Sequence, residues 1–204
     1  IPEIRVSRDK WDTLERLQPA HEVAVKALGF DWHNLWRAEQ VHGDLVMQIP
    51  AEGVEGQIVE GADGLVTCGR EGVLLGIYVA DCAAVYICDC DTGALGLVHS
   101  GRKGTEQAVV VRAVEKMCAA YGSDPRNLEV AISPCIRPPR YEVDLPSLLK
   151  EQLLGAGIPS GQIVSSGECT GAHVDRYYSY RVEKGNTGRM LALLGRRINN
   201  VLPV

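Results

Sequence analysis

The sequence predicts a mixed α and β layered domain of the α+β class. Three observations point there: short apolar runs broken by glycine and aspartate, helix-like apolar stripes before and after them, and an interior that must be built with few aromatics. With 46% apolar and 23% charged residues, the 204-residue chain is that of a soluble globular protein able to bury a sizeable core, and it reads as one domain over residues 1–204. There is one phenylalanine, Phe30, so Val, Leu, Ile, Ala and Gly must fill the interior, which suits closely packed sheet and helix layers.

In the first 40 residues Trp11, Leu14 and Leu17, then Val25 and Leu28, recur at helix-like intervals, with Pro19 separating two helical pieces. From residue 45 the pattern changes. Residues 45–49, 64–67, 73–79, 83–88 and 94–98 read as strands. Residues 105–121 form the clearest helix: Gln107, Val111, Val114, Cys118 and Tyr121 share a stripe, Thr105 caps the start and Gly122 ends it. Asp124-Pro125-Arg126-Asn127 is a turn and 128–132 a buried strand, after which Pro134, Pro138 and Pro139 forbid regular structure until about Tyr141. Asp144 followed by Pro146 starts a helix that Gly155 stops, and a last helix is expected over 187–197.

Charge and cysteine usage bound the function. The net charge is −5, and no long basic run occurs, which argues against a nucleic-acid footprint. The longest apolar stretch, residues 72–79, is strand-sized and far short of the roughly 18–20 residues of a membrane span. Seven scattered cysteines cannot all pair internally, so reduced thiols in a cytoplasmic protein are expected. The chain starts at Ile1 without a methionine, which leaves open both earlier residues and a removed leader.

The chemistry concentrates in residues 79–99, two apolar strands around a turn near Asp91-Thr92-Gly93. A hairpin centred between Cys90 and Asp91 sets Cys82 opposite His99. Centring it on Asp91-Thr92 pairs His99 with Ala84, on the same face as Cys82, because side chains alternate with period two. A thiol and an imidazole at a strand end can form a nucleophile with its base or can ligate a metal, against the ordinary alternative of a buried thiol beside a core histidine. Polar flanks at Asp81 and at residues 100–104 favour a site. His42, in Gln40-Val41-His42-Gly43-Asp44, supplies a second imidazole before a strand. Two imidazoles, one thiolate and an open fourth position are the arrangement of a catalytic zinc.

Ser100-Gly101-Arg102-Lys103-Gly104-Thr105 then opens the long helix, so backbone amides and two cations can hold a phosphate or carboxylate, the alternative being a solvated basic turn. P-loop spacing is absent, which argues against a nucleotide triphosphatase. Asp63 and Asp81 each adjoin a strand and a possible ligand, and each can serve as a general base, as an orienting partner of a histidine, or as a turn residue. Cys88, Cys90 and Cys118 read as core, Cys135 as an exposed loop thiol, and His21, His33 and His173 lack a supporting constellation.

These residues fall in motifs that together resemble the YfiH-like family, also called the multicopper polyphenol oxidoreductase or laccase-domain family. They are QVHG (40–43), ADGLVT (62–67), ADC (80–82), HSGRKGT (99–105), PCI…YEV (134–143), CT (169–170), YYSYR (177–181) and TGRM (187–190), in the family's order. The resemblance implies one zinc held by His42, Cys82 and His99, and an α+β fold with mixed sheets between helical layers, similar to that of a bacterial deamidating toxin. It implies phosphorolysis of adenosine, inosine, guanosine or methylthioadenosine, with adenosine deamination as a second reaction, so a nucleoside and phosphate are the expected partners. Gln40, Asp63 and Asp81 are the candidate catalytic residues, and Ser100, Arg102 and Lys103 the candidate phosphate ligands. The chain departs from the family in carrying Arg102-Lys103 where Trp then Arg is usual, and Ser133 where Gly is usual; residues 1–39 carry none of the motifs. Competing readings are a copper polyphenol oxidase, for which five histidines are too few to hold a multicopper centre, a cysteine hydrolase or amidase using Cys82 with His99, and a non-catalytic binding protein.

Overall fold

Central strands buried on both faces stack this chain into four layers, in a computed structural model that describes residues 10–50 and 55–197, with side chains from residue 14 onward. The side chain of Trp11 lies outside the described residues. The elements run α1 (Lys10–Ala27), β1 (Leu35–Ala38), β2 (Val46–Gln48), β3 (Ile58–Val59), β4 (Gly64–Thr67), β5 (Leu74–Val79), β6 (Ala83–Asp89), β7 (Leu95–Ser100), α2 (Arg102–Glu106), α3 (Val109–Tyr121), β8 (Leu128–Ile132), α4 (Leu145–Gly155), β9 (Ile163–Ser165) and β10 (Met190–Gly195). They build a four-stranded sheet in the order β10-β5-β1-β3 and a six-stranded sheet in the order β2-β4-β7-β6-β8-β9, both mixed.

Period two decides which side chain enters which layer. Trp36, Ala38, Leu65, Leu75, Ile77, Ala84 and Leu97 meet between the two sheets. Their strand neighbours Val66, Val85, Ile87 and Val98 face the other way, onto Val110, Ala113, Val114 and Met117 of α3 and Leu149 and Leu153 of α4. On the far side of the smaller sheet, Val25 of α1 packs on Leu35 and Leu74. The β6–β7 ladder has Ala84 opposite His99, which is the register centred on Asp91-Thr92, and Asp89 tightens its turn by accepting from the amides of Asp91 and Thr92.

Four expectations are corrected. Pro19 lies inside one continuous helix instead of dividing two. The helix expected over 105–121 is two pieces, because Ala108 takes a left-handed conformation (φ 57°) between α2 and α3; Gly101 caps α2, and Gly122 ends α3 as expected. Residues 190–195 form a strand instead of a helix: Met-Leu-Ala-Leu-Leu suits a helix locally, but all six residues of β10 pair antiparallel with β5, and that long-range ladder overrides local propensity. The cysteines also redistribute. Cys135 is buried, its backbone paired in parallel with that of Cys169 and both thiols free, while Cys90 is exposed just past β6 and Cys88 and Cys118 are half-buried.

Leu65 is fully buried between the two sheets. Leu65→Ala is expected to lower stability by about 2–5 kcal/mol, since a close-packed site between two sheets collapses little around a cavity. Urea denaturation of the variant checks this, and an unchanged midpoint overturns it.

Candidate metal centre

The inter-sheet face that carries Leu65, Ala84 and Leu97 continues to the end of the six-stranded sheet, where period two delivers Asp63, Cys82 and His99 to the same side. His99 is in β7, Asp63 immediately precedes β4, and Cys82 immediately precedes β6. His42 comes from the loop between β1 and β2, whose residues Gln40 and His42 both have left-handed backbones (φ 63° and 61°). The donor atoms of His42, Cys82 and His99 all lie within 4.8 Å of one another, with His42 exposed, Cys82 half-buried and His99 buried. The two imidazoles meet edge to face, ring centroids 4.9 Å apart.

Asp63 organises this group. Its carboxylate accepts from the backbone amides of Val41 (3.1 Å), His42 (3.0 Å) and Gly43 (2.7 Å), a concave run of N–H groups that compensates an anion with no solvent exposure. The same carboxylate lies 2.8 Å from Nδ1 of His99. An ionised carboxylate can only accept, so Nδ1 carries the proton and Nε2 is left as the ligating nitrogen. Burial alone would raise the Asp63 carboxyl, but the bonds from His99 and from the Gly43 and Val41 amides hold it below the usual range.

The thiol behaves likewise. Burial would raise Cys82, yet the hydrogen bonds and charges of His42 and His99 lower it to about 6, so the sulfur is a thiolate at neutral pH. Burial would lower His99, but Asp63 and Cys82 raise it to about 9. The His99 proton that faces the Cys82 thiolate is what a divalent cation would replace. Two nitrogens and one sulfur with an oriented second partner fit such an ion. Gly101 makes the close approach possible: a Cβ there would sit 2.7 Å from Sγ of Cys82, so a side chain would collide with a ligand atom.

The remaining predicted residues are placed as follows. The Gln40 amide pairs with the backbone of Tyr78 in both directions, accepting from its N–H at 2.7 Å and donating to its carbonyl at 2.6 Å, so it acts as an extra strand residue. Asp81 (φ 82°) accepts from the Thr170 hydroxyl and the Arg181 amide, both at 2.7 Å, while its carbonyl accepts from the Ile136 amide, which ties two distant segments to the residue before Cys82. Ser100 is fully buried. Because the Thr105 hydroxyl donates to the Gly101 carbonyl, the Ser100 hydroxyl must donate to Thr105, leaving no proton for an anion. Arg102 and Lys103 are exposed on the first turn of the short α2. Arg102 bonds Glu106 (2.9 Å) and Glu142 (3.3 Å).

The structure adds residues that pattern reading did not select. Glu142 also accepts from Arg181 at 2.9 Å, and the Arg181 guanidinium lies over the Tyr141 ring, 4.8 Å from its centroid. All three sit in the YEV and YYSYR motifs, which were the available signal. Separations of about 40 residues hid their meeting.

The sequence profile described as "Multi-copper polyphenol oxidoreductase laccase" matches residues 4–145 and 140–197, so the match includes the motif-poor stretch before residue 40. A Deinococcus radiodurans protein named purine nucleoside phosphorylase is 35% identical over 83% of this chain and 73% of its own length. A Geobacillus stearothermophilus protein named purine nucleoside phosphorylase YlmD is 34% identical over 61% of this chain, and the match spans 57% of that relative. Crystal structures of YlmD from Geobacillus stearothermophilus (28% identity, TM-score 0.77, 93% of this chain and 82% of the other) and of the Bacillus licheniformis hypothetical protein YfiH (23% identity, TM-score 0.84, 97% and 88%) share the fold. No helix among the described residues is long and apolar enough to cross a membrane.

Replacing Asp63 by Asn removes a charge that orients His99 and compensates three amides. A 10- to 100-fold loss of metal affinity is expected. A chelator-competition titration against the unaltered protein reads it, and equal affinities would show that Asp63 does not support the ligands.

Proposed function

The chain belongs to the multi-copper polyphenol oxidoreductase laccase family, and from that premise we propose that it is a zinc-dependent purine nucleoside phosphorylase that also deaminates adenosine. Adenosine, inosine, guanosine and methylthioadenosine are its substrate class, with phosphate as the second substrate. The observation that carries the reading is the group of His42, Cys82 and His99, its thiol depressed and His99 fixed by Asp63. The relatives named purine nucleoside phosphorylase support it.

His42, Cys82 and His99 would hold the zinc, a borderline ion suited to mixed nitrogen and sulfur donors, and when bound it supplies Lewis acidity without redox chemistry. Phosphorolysis breaks the C1′–N9 bond of the nucleoside and joins C1′ to a phosphate oxygen, so the chain must place an anion beside the sugar. Arg102 and Lys103 serve that purpose, on the turn that Gly101 presses against Cys82. Asp63, Asp81 and Gln40 act as positioning residues: Asp63 holds both histidines, Asp81 anchors the residue before Cys82, and Gln40 fixes the loop that carries His42. Ser100 shapes the turn through Thr105.

A polyphenol oxidase of the multicopper type needs enough histidines for a trinuclear cluster and a blue site. Among the described residues one group of three donors forms, which has room for one ion. A cysteine hydrolase using Cys82 and His99 requires no metal, and a chelator separates it from the zinc reading.

Metal-replete protein incubated with adenosine and phosphate is expected to yield adenine, ribose 1-phosphate and inosine by chromatography. No product from any purine nucleoside would sink the proposal. Cys82→Ala is expected to lose about one zinc per chain by elemental analysis together with all turnover. Activity that survives chelation but not thiol alkylation would instead favour the hydrolase.

A further inference from the structure

We propose that Arg102 and Arg181 form one binding site for a phosphate dianion and that Glu142 occupies this site until the anion arrives. The inference rests on the phosphorolytic reading and deepens it, by naming the second arginine and the group that competes with the substrate. Both guanidinium groups converge on the same carboxylate oxygen: Glu142 Oε1 accepts from Arg102 Nη1 at 3.3 Å and from Arg181 Nη2 at 3.2 Å, and Oε2 accepts from Arg181 Nη2 at 2.9 Å. Planar forked donors that converge on one anionic oxygen offer the geometry by which arginine binds phosphate.

The position of the pair relative to the metal ligands sets it apart from an ordinary surface network. Arg102 follows Gly101, whose Cα faces Sγ of Cys82 closely enough to exclude a Cβ. The backbone amide of Arg181 donates to Asp81, the residue before Cys82. The two arginines, 79 positions apart, are thus both anchored beside the segment that carries the thiolate. The Tyr141 ring supports the Arg181 guanidinium from below, leaving its edge to bind.

Exposure makes the carboxylate displaceable. The Arg102, Arg181 and Glu142 side chains are each about half exposed, at 52%, 52% and 54%. Ion pairs of that exposure contribute little, so a mobile dianion with twice the charge and three acceptor oxygens can replace a single carboxylate. Arg102 also pairs with Glu106 through Nε, which steadies its side chain while Nη1 turns to the shared site.

Titration of inorganic phosphate into metal-replete protein at constant ionic strength, followed by calorimetry, tests the site directly. Arg181→Gln and Arg102→Gln are each expected to weaken phosphate binding about tenfold or more, as for loss of a charge-assisted hydrogen-bond partner. Glu142→Gln is expected to tighten it several-fold. Arg126→Gln, at a distant exposed turn, serves as the charge control and is expected to change nothing. Metal content and thermal midpoint, measured for each variant, identify a folding failure, and Arg181→Lys, which keeps the charge but not the fork, gives an intermediate affinity in a folded protein. Unaltered affinity in both arginine variants overturns the site, and unaltered or weaker affinity in Glu142→Gln overturns the role of Glu142. Phosphate binding that depends on both arginines in a protein without phosphorolysis would remove the proposed activity and leave the site. Phosphorolysis with an unchanged KM for phosphate in Arg181→Gln would remove the site and leave the activity.

Discussion

The buried carboxylate of Asp63 ties the 41–43 loop to His99 at the end of the six-stranded sheet. A carboxylate without solvent exposure must be compensated by donors, and four converge on it: three successive amides of the 41–43 loop and the Nδ1 proton of His99. The amides can point inward only because Gln40 and His42 adopt left-handed backbones, a conformation unfavourable for side-chain-bearing residues. The same interaction therefore bends the loop, brings His42 to His99, and selects which imidazole nitrogen is free to ligate.

Around that constraint the sheets act as a positioning device. Strands β4, β6 and β7 send alternate residues to the inter-sheet layer, and at the end of the layer the series continues into polar residues: Leu65 gives way to Asp63, Leu97 to His99, and Ala84 to Cys82. The apolar core that stabilises the two-sheet stack thus fixes Asp63, Cys82 and His99 in or beside strands that cannot shift without breaking the ladders. His42, on the loop, is the exposed member of the group, so the site opens on that side.

A second tier of polar contacts ties the C-terminal half to the same point. Asp81, itself strained, gathers Thr170, Arg181 and Ile136 onto the residue before Cys82. Segments without regular secondary structure are held there by side-chain bonds instead of ladders. The cationic and aromatic residues they carry, Tyr141 and Arg181, are the ones that face Arg102 through Glu142. Cys82 and His99 thus come from the ends of sheet strands, whereas His42, Tyr141 and Arg181 come from segments without ladders.

Much of this was legible in sequence because it depends on local periodicity. The strands at 64–67 and 128–132, the stop at Gly122 and the common face of Cys82 and His99 follow from period-two alternation and turn chemistry. That His42, Cys82 and His99 come together followed from residue type and the ordered motifs. Tertiary structure alone decided what rests on contacts between distant segments: that residues 190–195 pair with β5 instead of coiling, that Cys135 is buried against Cys169, that Asp63 orients His99 instead of remaining one of three open roles, and that Arg181 meets Arg102. The reason is the same in each case. Local propensities differ by a few tenths to about 1 kcal/mol per residue, whereas a completed ladder or a compensated buried charge outweighs them.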